Sequence, residues 1–161
     1  GDSKKNYKSF PNRLSIEDSL KKNFFCFVNL IDAYLEVFKK TSTNIIVISS
    51  IAGTKNIEGA PISYSLSKNI LNFYSKIVSK ILIKNKIKLN IISPGNILME
   101  KNNWALKIKK NKNKTLKYIK KNVPSEKFCS PDEIYILCKL IIENQHNLVG
   151  SNIVIDGGQT L

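Results

Sequence analysis

The chain has 161 residues, 42% of them hydrophobic, which suits one domain with a sizeable core and excludes global disorder. Lys and Arg number 26 against 12 Asp and Glu, a formal charge of +14, but 25 of the basic residues are Lys, alongside 19 Asn and 24 Ile. All three types have A/T-rich codons and Arg is nearly absent, so the charge is read as composition and no nucleic-acid partner is expected.

Residues 1–14 read as a polar loop opening at Gly1, which suggests that sequence precedes it. Ser15-Ile-Glu-Asp18 has the spacing of a helix N-cap with acidic first-turn residues. It predicts a helix from about 16 to 40 that buries Leu20, Phe24, Phe27, Val28, Ile31, Tyr34, Leu35 and Phe38. Asn44–Ser49 is a continuous apolar run, as expected for a central parallel strand covered on both faces. Gly53 and Gly59 mark a loop, and helical periodicity returns from Pro61 to about Lys84. Lys88–Ile92 is a second strand, stopped by Pro94-Gly95. Residues 96–123 hold nine Lys with weak periodicity and read as a mobile, partly helical excursion. Ser130-Pro-Asp-Glu133 is a capping box that opens a helix to about Asn144. Ser151–Ile155 is a third strand, closed by Asp156-Gly-Gly158. Helices alternating with apolar strands predict a single α/β domain over 1–161 with a parallel sheet.

The three Cys share no CxxC spacing and His146 is the only histidine. A disulfide framework, a His/Cys zinc site and a Ser-His-Asp triad are therefore not expected, and a reducing cytoplasm is. No apolar run approaches the ~18 residues that span a bilayer, so no membrane association is expected.

Tyr64 and Lys68, four residues apart, share a helical face. A cation within about 4–6 Å favours phenolate, which lets a tyrosine exchange a proton with an alcohol or carbonyl. Tyr135 and Lys139 have the same spacing, so spacing alone does not choose between the pairs. Context does: Tyr64 follows a strand and a turn, whereas Tyr135 lies among Ile134, Leu137 and Cys138 and reads as a packed helix residue. Ser50 stands at the C-terminal end of the first strand, where open α/β sheets place ligand groups. Its hydroxyl is suited either to a developing oxyanion or to the turn backbone.

With these residues in place the chain resembles the short-chain dehydrogenase/reductase family. Ile48-Ser-Ser-Ile-Ala-Gly53, Tyr64-xxx-Lys68, Asn90-Ile-Ile-Ser-Pro-Gly95 and Val154-Ile-Asp-Gly-Gly158 occur in the family's order, and Asn23 in Lys21-Lys-Asn-Phe-Phe25 resembles its helix Asn. The resemblance implies a Rossmann-like three-layer α/β/α fold, here with the N-terminal strands missing. It implies Tyr64 as acid/base and Lys68 as the residue that lowers its pKa and binds the nicotinamide ribose. Ser50 would polarise the substrate carbonyl, Asn23 would hold a relay water, and Pro94, Gly95 and Ile97 would contact the nicotinamide end of NAD or NADP.

Three features depart from the family pattern. No Gly-rich phosphate turn occurs among the seven Gly, the Ser50–Tyr64 spacing is one residue longer than usual, and Met99 replaces a common Thr. The expected function is NAD(P)-dependent interconversion of a ketone or aldehyde with an alcohol. A sugar, a nucleotide-linked compound and a 3-oxoacyl carrier substrate all stay open. The alternative is a non-catalytic interaction remnant that does not bind cofactor alone. The family also implies a homodimer or homotetramer, with Phe25, Asn29, Asn69 and Phe73 in the interface.

Overall fold

The computed structural model describes residues 10–37, 42–100, 102–143 and 147–161, without the side chain of Asn103. A three-stranded parallel sheet flanked by helices organises them. β1 (Thr43–Ile48), β2 (Ile87–Pro94) and β3 (Asn152–Ile155) lie in the order β1-β2-β3. Thr43 pairs with Ile87 through to Ile48 with Ile92, and Ile91 with Asn152 through to Pro94 with Ile155.

The first helical stretch begins one turn before the predicted start. α1 (Arg13–Leu20) is capped by Asn12, whose side chain accepts from the Ser15 N–H, so Ser15 lies inside the helix. A π segment over Lys21–Phe25 follows, in which the Cys26 N–H donates to the Lys21 carbonyl five residues back; α2 (Cys26–Val37) then resumes. The single predicted helix is thus two helices about a local bulge. Of its predicted core residues only Ile31 is fully buried, while Phe24, Phe27, Tyr34 and Leu35 pack partly against the sheet core. Phe38, and the predicted end of the helix at 40, lie outside the described residues.

Among the described residues β1, expected as a central strand, is the first strand of the sheet and pairs only with β2, and Ile48 is 44% exposed. The central strand is β2, paired with β1 over 87–92 and with β3 over 91–94; its Ile87, Leu89, Ile91 and Ile92 are almost wholly buried, as expected where helices cover the sheet. α3 (Ile62–Leu82) packs on it through Leu71 and Leu82.

The predicted excursion holds two defined helices, α4 (Asn103–Lys110) and α5 (Lys112–Asn122). Trp104 and Tyr118 pack there against Ile119, Val123 and Phe128, a small second core that weak periodicity conceals. α6 (Pro131–Glu143) starts at the predicted capping box: the Ser130 N–H donates to Glu133 Oε2 at 2.8 Å and the Glu133 N–H to Ser130 Oγ at 3.2 Å. Asn144 lies outside the described residues. Tyr135 is 64% exposed rather than packed, because its apolar neighbours on α6 do not turn it toward the core.

Candidate active site

The C-terminal ends of β1 and β2 converge on one cavity of about 550 Å³. After β1 the chain makes a 3₁₀ turn over Ile51–Gly53 with Ser50 as its cap; Ser50 Oγ accepts from the Ala52 N–H at 3.2 Å. That bond uses a lone pair of the hydroxyl and leaves its proton available to a ligand. Ser49 is buried, its Oγ has no partner, and it does not line the cavity, whereas Ser50 does. The turn presses on α3: a Cβ on Gly53 would lie 2.7 Å from the Lys68 carbonyl, so only glycine permits this approach.

Tyr64, in the first turn of α3, shares the cavity wall with Ser50. Lys68 Nζ stands 5.8 Å from the Tyr64 ring centroid and donates to the Ile48 carbonyl at 3.2 Å. Burial pushes the Lys68 ammonium below its ordinary value, and the smaller electrostatic influence of Cys26 acts the other way. The cation is thus held under the tyrosine by the end of the strand rather than by a carboxylate.

Asn23 does not line the cavity. Its side-chain amide donates to the Ser19 carbonyl at 3.0 Å and lies 3.4 Å from Ser19 Oγ. Ser19 Oγ is 3.1 Å from Ser67 Oγ, which donates to the Tyr64 carbonyl at 2.8 Å. Asn23 therefore connects to the Tyr64 helix through two serines. Gly95 and Ile97 line the cavity, whereas Pro94 and Lys68 do not. Tyr135 does not line it, and its companion Lys139 pairs with Glu143 at 3.7 Å.

Several lining residues carry no motif that singles them out in the sequence. Asn96 Nδ2 is buried without a partner beside Gly95. Asn102 caps α4 by accepting from the Trp104 and Ala105 N–H groups at 3.1 Å, and donates to the Ile97 carbonyl at 2.6 Å. An Asn just ahead of a helical segment is a legible capping signal, but its reach back to Ile97 is not. Trp104, Lys107 and Tyr118 complete the side facing the helical excursion.

Asn90 has a structural part. Buried in β2, it donates to the Leu148 carbonyl at 2.9 Å and accepts from the Ser151 N–H at 3.1 Å, fixing the entry to β3. Among the described residues no group of three or more His, Cys, Asp or Glu gathers as a metal site, and no helix is long and apolar enough to cross a membrane.

Residues 4–160 match the family model described as enoyl-(acyl carrier protein) reductase. The chain is 28% identical over 125 residues to the 3-oxoacyl-[acyl-carrier-protein] reductase of Bos taurus, covering 78% of this chain and 48% of the relative. It is 27% identical over 135 residues to dehydrogenase/reductase SDR family member 6 of Rattus norvegicus, covering 82% and 55%. The chain thus spans about half the length of the curated relatives it matches. The fold superposes with a TM-score of 0.82 on L-sorbose reductase from Gluconobacter frateurii, solved with NADPH and L-sorbose, at 23% identity over 92% of this chain and 59% of that one.

Proposed function

Because this chain belongs to the short-chain dehydrogenase/reductase family, we propose that it carries the catalytic groups of an NAD(P)-dependent oxidoreductase that interconverts a carbonyl and an alcohol. The observation that carries the reading is the shared wall: Ser50 and Tyr64 face one cavity, with the Lys68 cation beside the Tyr64 ring. A bound nicotinamide would supply or accept the hydride. Asn96 Nδ2, buried and unpartnered, is a donor suited to its carboxamide, beside Gly95, Ile97 and the strand-ending Pro94. No Gly-rich turn for the pyrophosphate occurs in this sequence, so support for the fit is confined to the nicotinamide end.

In this reading the Ser50 hydroxyl donates to the substrate oxygen and holds it against Tyr64. The phenol gives its proton to that oxygen in reduction and takes it back in oxidation. Lys68 stabilises negative charge on the phenol oxygen while the Ile48 carbonyl fixes the ammonium. Asn23 would hold a relay water toward Lys68, and its amide is tied to the Tyr64 helix through Ser19 and Ser67. Met99 and Trp104 give the cavity an apolar flank, suited to the carbon skeleton of a small sugar-like or acyl substrate. The active species is a dimer or tetramer built on α1–α3.

The test is turnover of a ketone and alcohol panel with NADH and NADPH, followed by nicotinamide absorbance. Tyr64→Phe should remove at least about 10³-fold of the rate, since it deletes the proton donor, while Tyr135→Phe should keep it. Activity that survives Tyr64→Phe and dies with Tyr135→Phe would reverse the assignment. Absence of any cofactor-dependent turnover favours the non-catalytic alternative.

A further inference from the structure

A second cavity, of about 520 Å³, adjoins the first and shares Trp104, Lys107 and Tyr118 with it. Its remaining wall includes Lys110 and Lys114, from the end of α4 and the start of α5. Three lysines thus line one concavity beside the candidate site. Among the described residues none of the three joins an ion pair, although other surface lysines do, as Lys120 with Glu126 and Lys127 with Glu133. Of the described residues, the only carboxylate lining either cavity is Glu58, in the first. Lys107 is also oriented: its Nζ stands 4.0 Å from the Trp104 ring centroid, a cation–π contact that reduces the freedom lost on gripping an anion.

We propose that this second cavity is a phosphoryl subsite, and that the substrate of the adjoining carbonyl site is a phosphorylated or diphosphate-linked small molecule. The proposal deepens the oxidoreductase reading, because it takes the first cavity as the place of reaction. The chemistry favours phosphoryl over carboxylate. Three lysines in one lining match a group with several anionic oxygens and a charge near −2, whereas a carboxylate offers two oxygens and one charge. The overall charge of +14 makes diffuse anion attraction the competing explanation, and the test must separate it from a built subsite.

Trp104 is the single tryptophan, so its fluorescence reports the subsite without any turnover. The full chain is titrated with pyrophosphate and with glycerol 3-phosphate, standing for diphosphate-linked and monoester substrates, with acetate as the carboxylate control, all at constant ionic strength. The expected result is saturable quenching by at least one phosphoryl probe and none by acetate. Lys107→Gln/Lys110→Gln/Lys114→Gln should weaken that binding by about tenfold or more, since it removes all three charge-assisted partners. Lys76→Gln/Lys80→Gln/Lys84→Gln, which removes the same charge from positions lining neither cavity, should leave it within about twofold if screening confines the effect to near charges. All six lysines are exposed, and among them only Lys107, seated on the Trp104 ring, has a ring contact that its replacement removes. Should the first triple variant unfold, Lys110→Gln/Lys114→Gln retains the Lys107–Trp104 contact and should still lose most of the affinity. No saturable quenching by either phosphoryl probe, equal quenching by acetate, or equal losses in the two triple variants would each overturn the subsite. Loss of turnover in Tyr64→Phe with phosphoryl binding intact bears only on the reaction, so the two readings fail separately.

Discussion

The hydroxyl oxygens of Ser19 and Ser67 lie 3.1 Å apart, both buried, where α1 meets α3. The pair ties the bulged segment that carries Asn23 to the helix that carries Tyr64 and Lys68. Ser67 also donates to the Tyr64 carbonyl, so one hydroxyl braces the first turn of α3 and the contact between the two helices.

Ser67→Ala should therefore cost about 1–2 kcal/mol, because it removes a buried hydrogen bond and strips the Ser19 hydroxyl of its cross-helix partner. Urea unfolding measures this. Activity should fall with it if the serine pair holds Asn23 in place relative to Tyr64 and Lys68, and Ser67→Thr, which restores a hydroxyl, should recover part of the rate. A stability loss with unchanged kcat would reduce the pair to a brace.

Lys68 gives a pH prediction with a definite sign. Its folded pKa is lowered by burial from the ordinary 10.5, so the charged form is less favourable in the folded protein than in the unfolded chain. Below the folded pKa that penalty is fully present. As pH rises from there toward 10.5 the folded state sheds its proton first, and stability increases. Lys68→Met should accordingly show its greatest stability advantage over the wild type near neutral pH, and the advantage should shrink in the alkaline window. Paired thermal melts across pH check this; a constant or widening difference contradicts it.

Gly157 has φ of 65° and faces Ser125, whose side chain occupies the space a Cβ would need. The Asp156 carboxylate closes the same turn by accepting from the Gly158 and Thr160 N–H groups at 2.9 and 2.8 Å. Gly157→Ala should lose about 1–3 kcal/mol through left-handed strain and the clash with Ser125. Chemical denaturation is the check, and a neutral effect would mean that the turn can rearrange.

Local chemistry with a fixed spacing is legible in the amino-acid sequence alone. The Ser130–Glu133 capping box, the buried β2 run and the position of Tyr64 at a helix start all follow from neighbours within a few residues. What is illegible depends on distant partners. β1 reads as a covered central strand because Ile45, Ile46 and Val47 are continuous, yet which strands flank it is not written in those residues. The bulge over Lys21–Phe25 leaves no compositional mark, and the helices of the excursion hide their packing face behind lysines. The exposure of Tyr135 shows the same limit: apolar neighbours in sequence do not place it in the core. The link from Asn102 to Ile97 is likewise a matter of loop path rather than motif.

Assembly supplies the last prediction. Phe25 is 48% and Phe73 68% exposed, and Ile70, Ile77 and Ile81 on α3 are also uncovered, while the opposite side of α3 packs on the sheet through Leu71 and Leu82. An apolar surface of this kind beside a well-packed face is characteristic of a helix that meets another subunit. Asn69, on the same helix, instead donates to the Gly53 carbonyl at 3.0 Å and stabilises the turn after β1. The apolar residues rather than Asn69 should therefore carry the association. Phe73→Lys places a charge in the seam and should shift the sedimentation of the oligomer toward monomer at micromolar concentration, by about 2–4 kcal/mol of association free energy if Phe73 is a central anchor. Phe10→Lys, an equally exposed change ahead of α1, is the control and should leave sedimentation unchanged. A wild-type protein that sediments as a monomer at that concentration would show that these side chains stay in water.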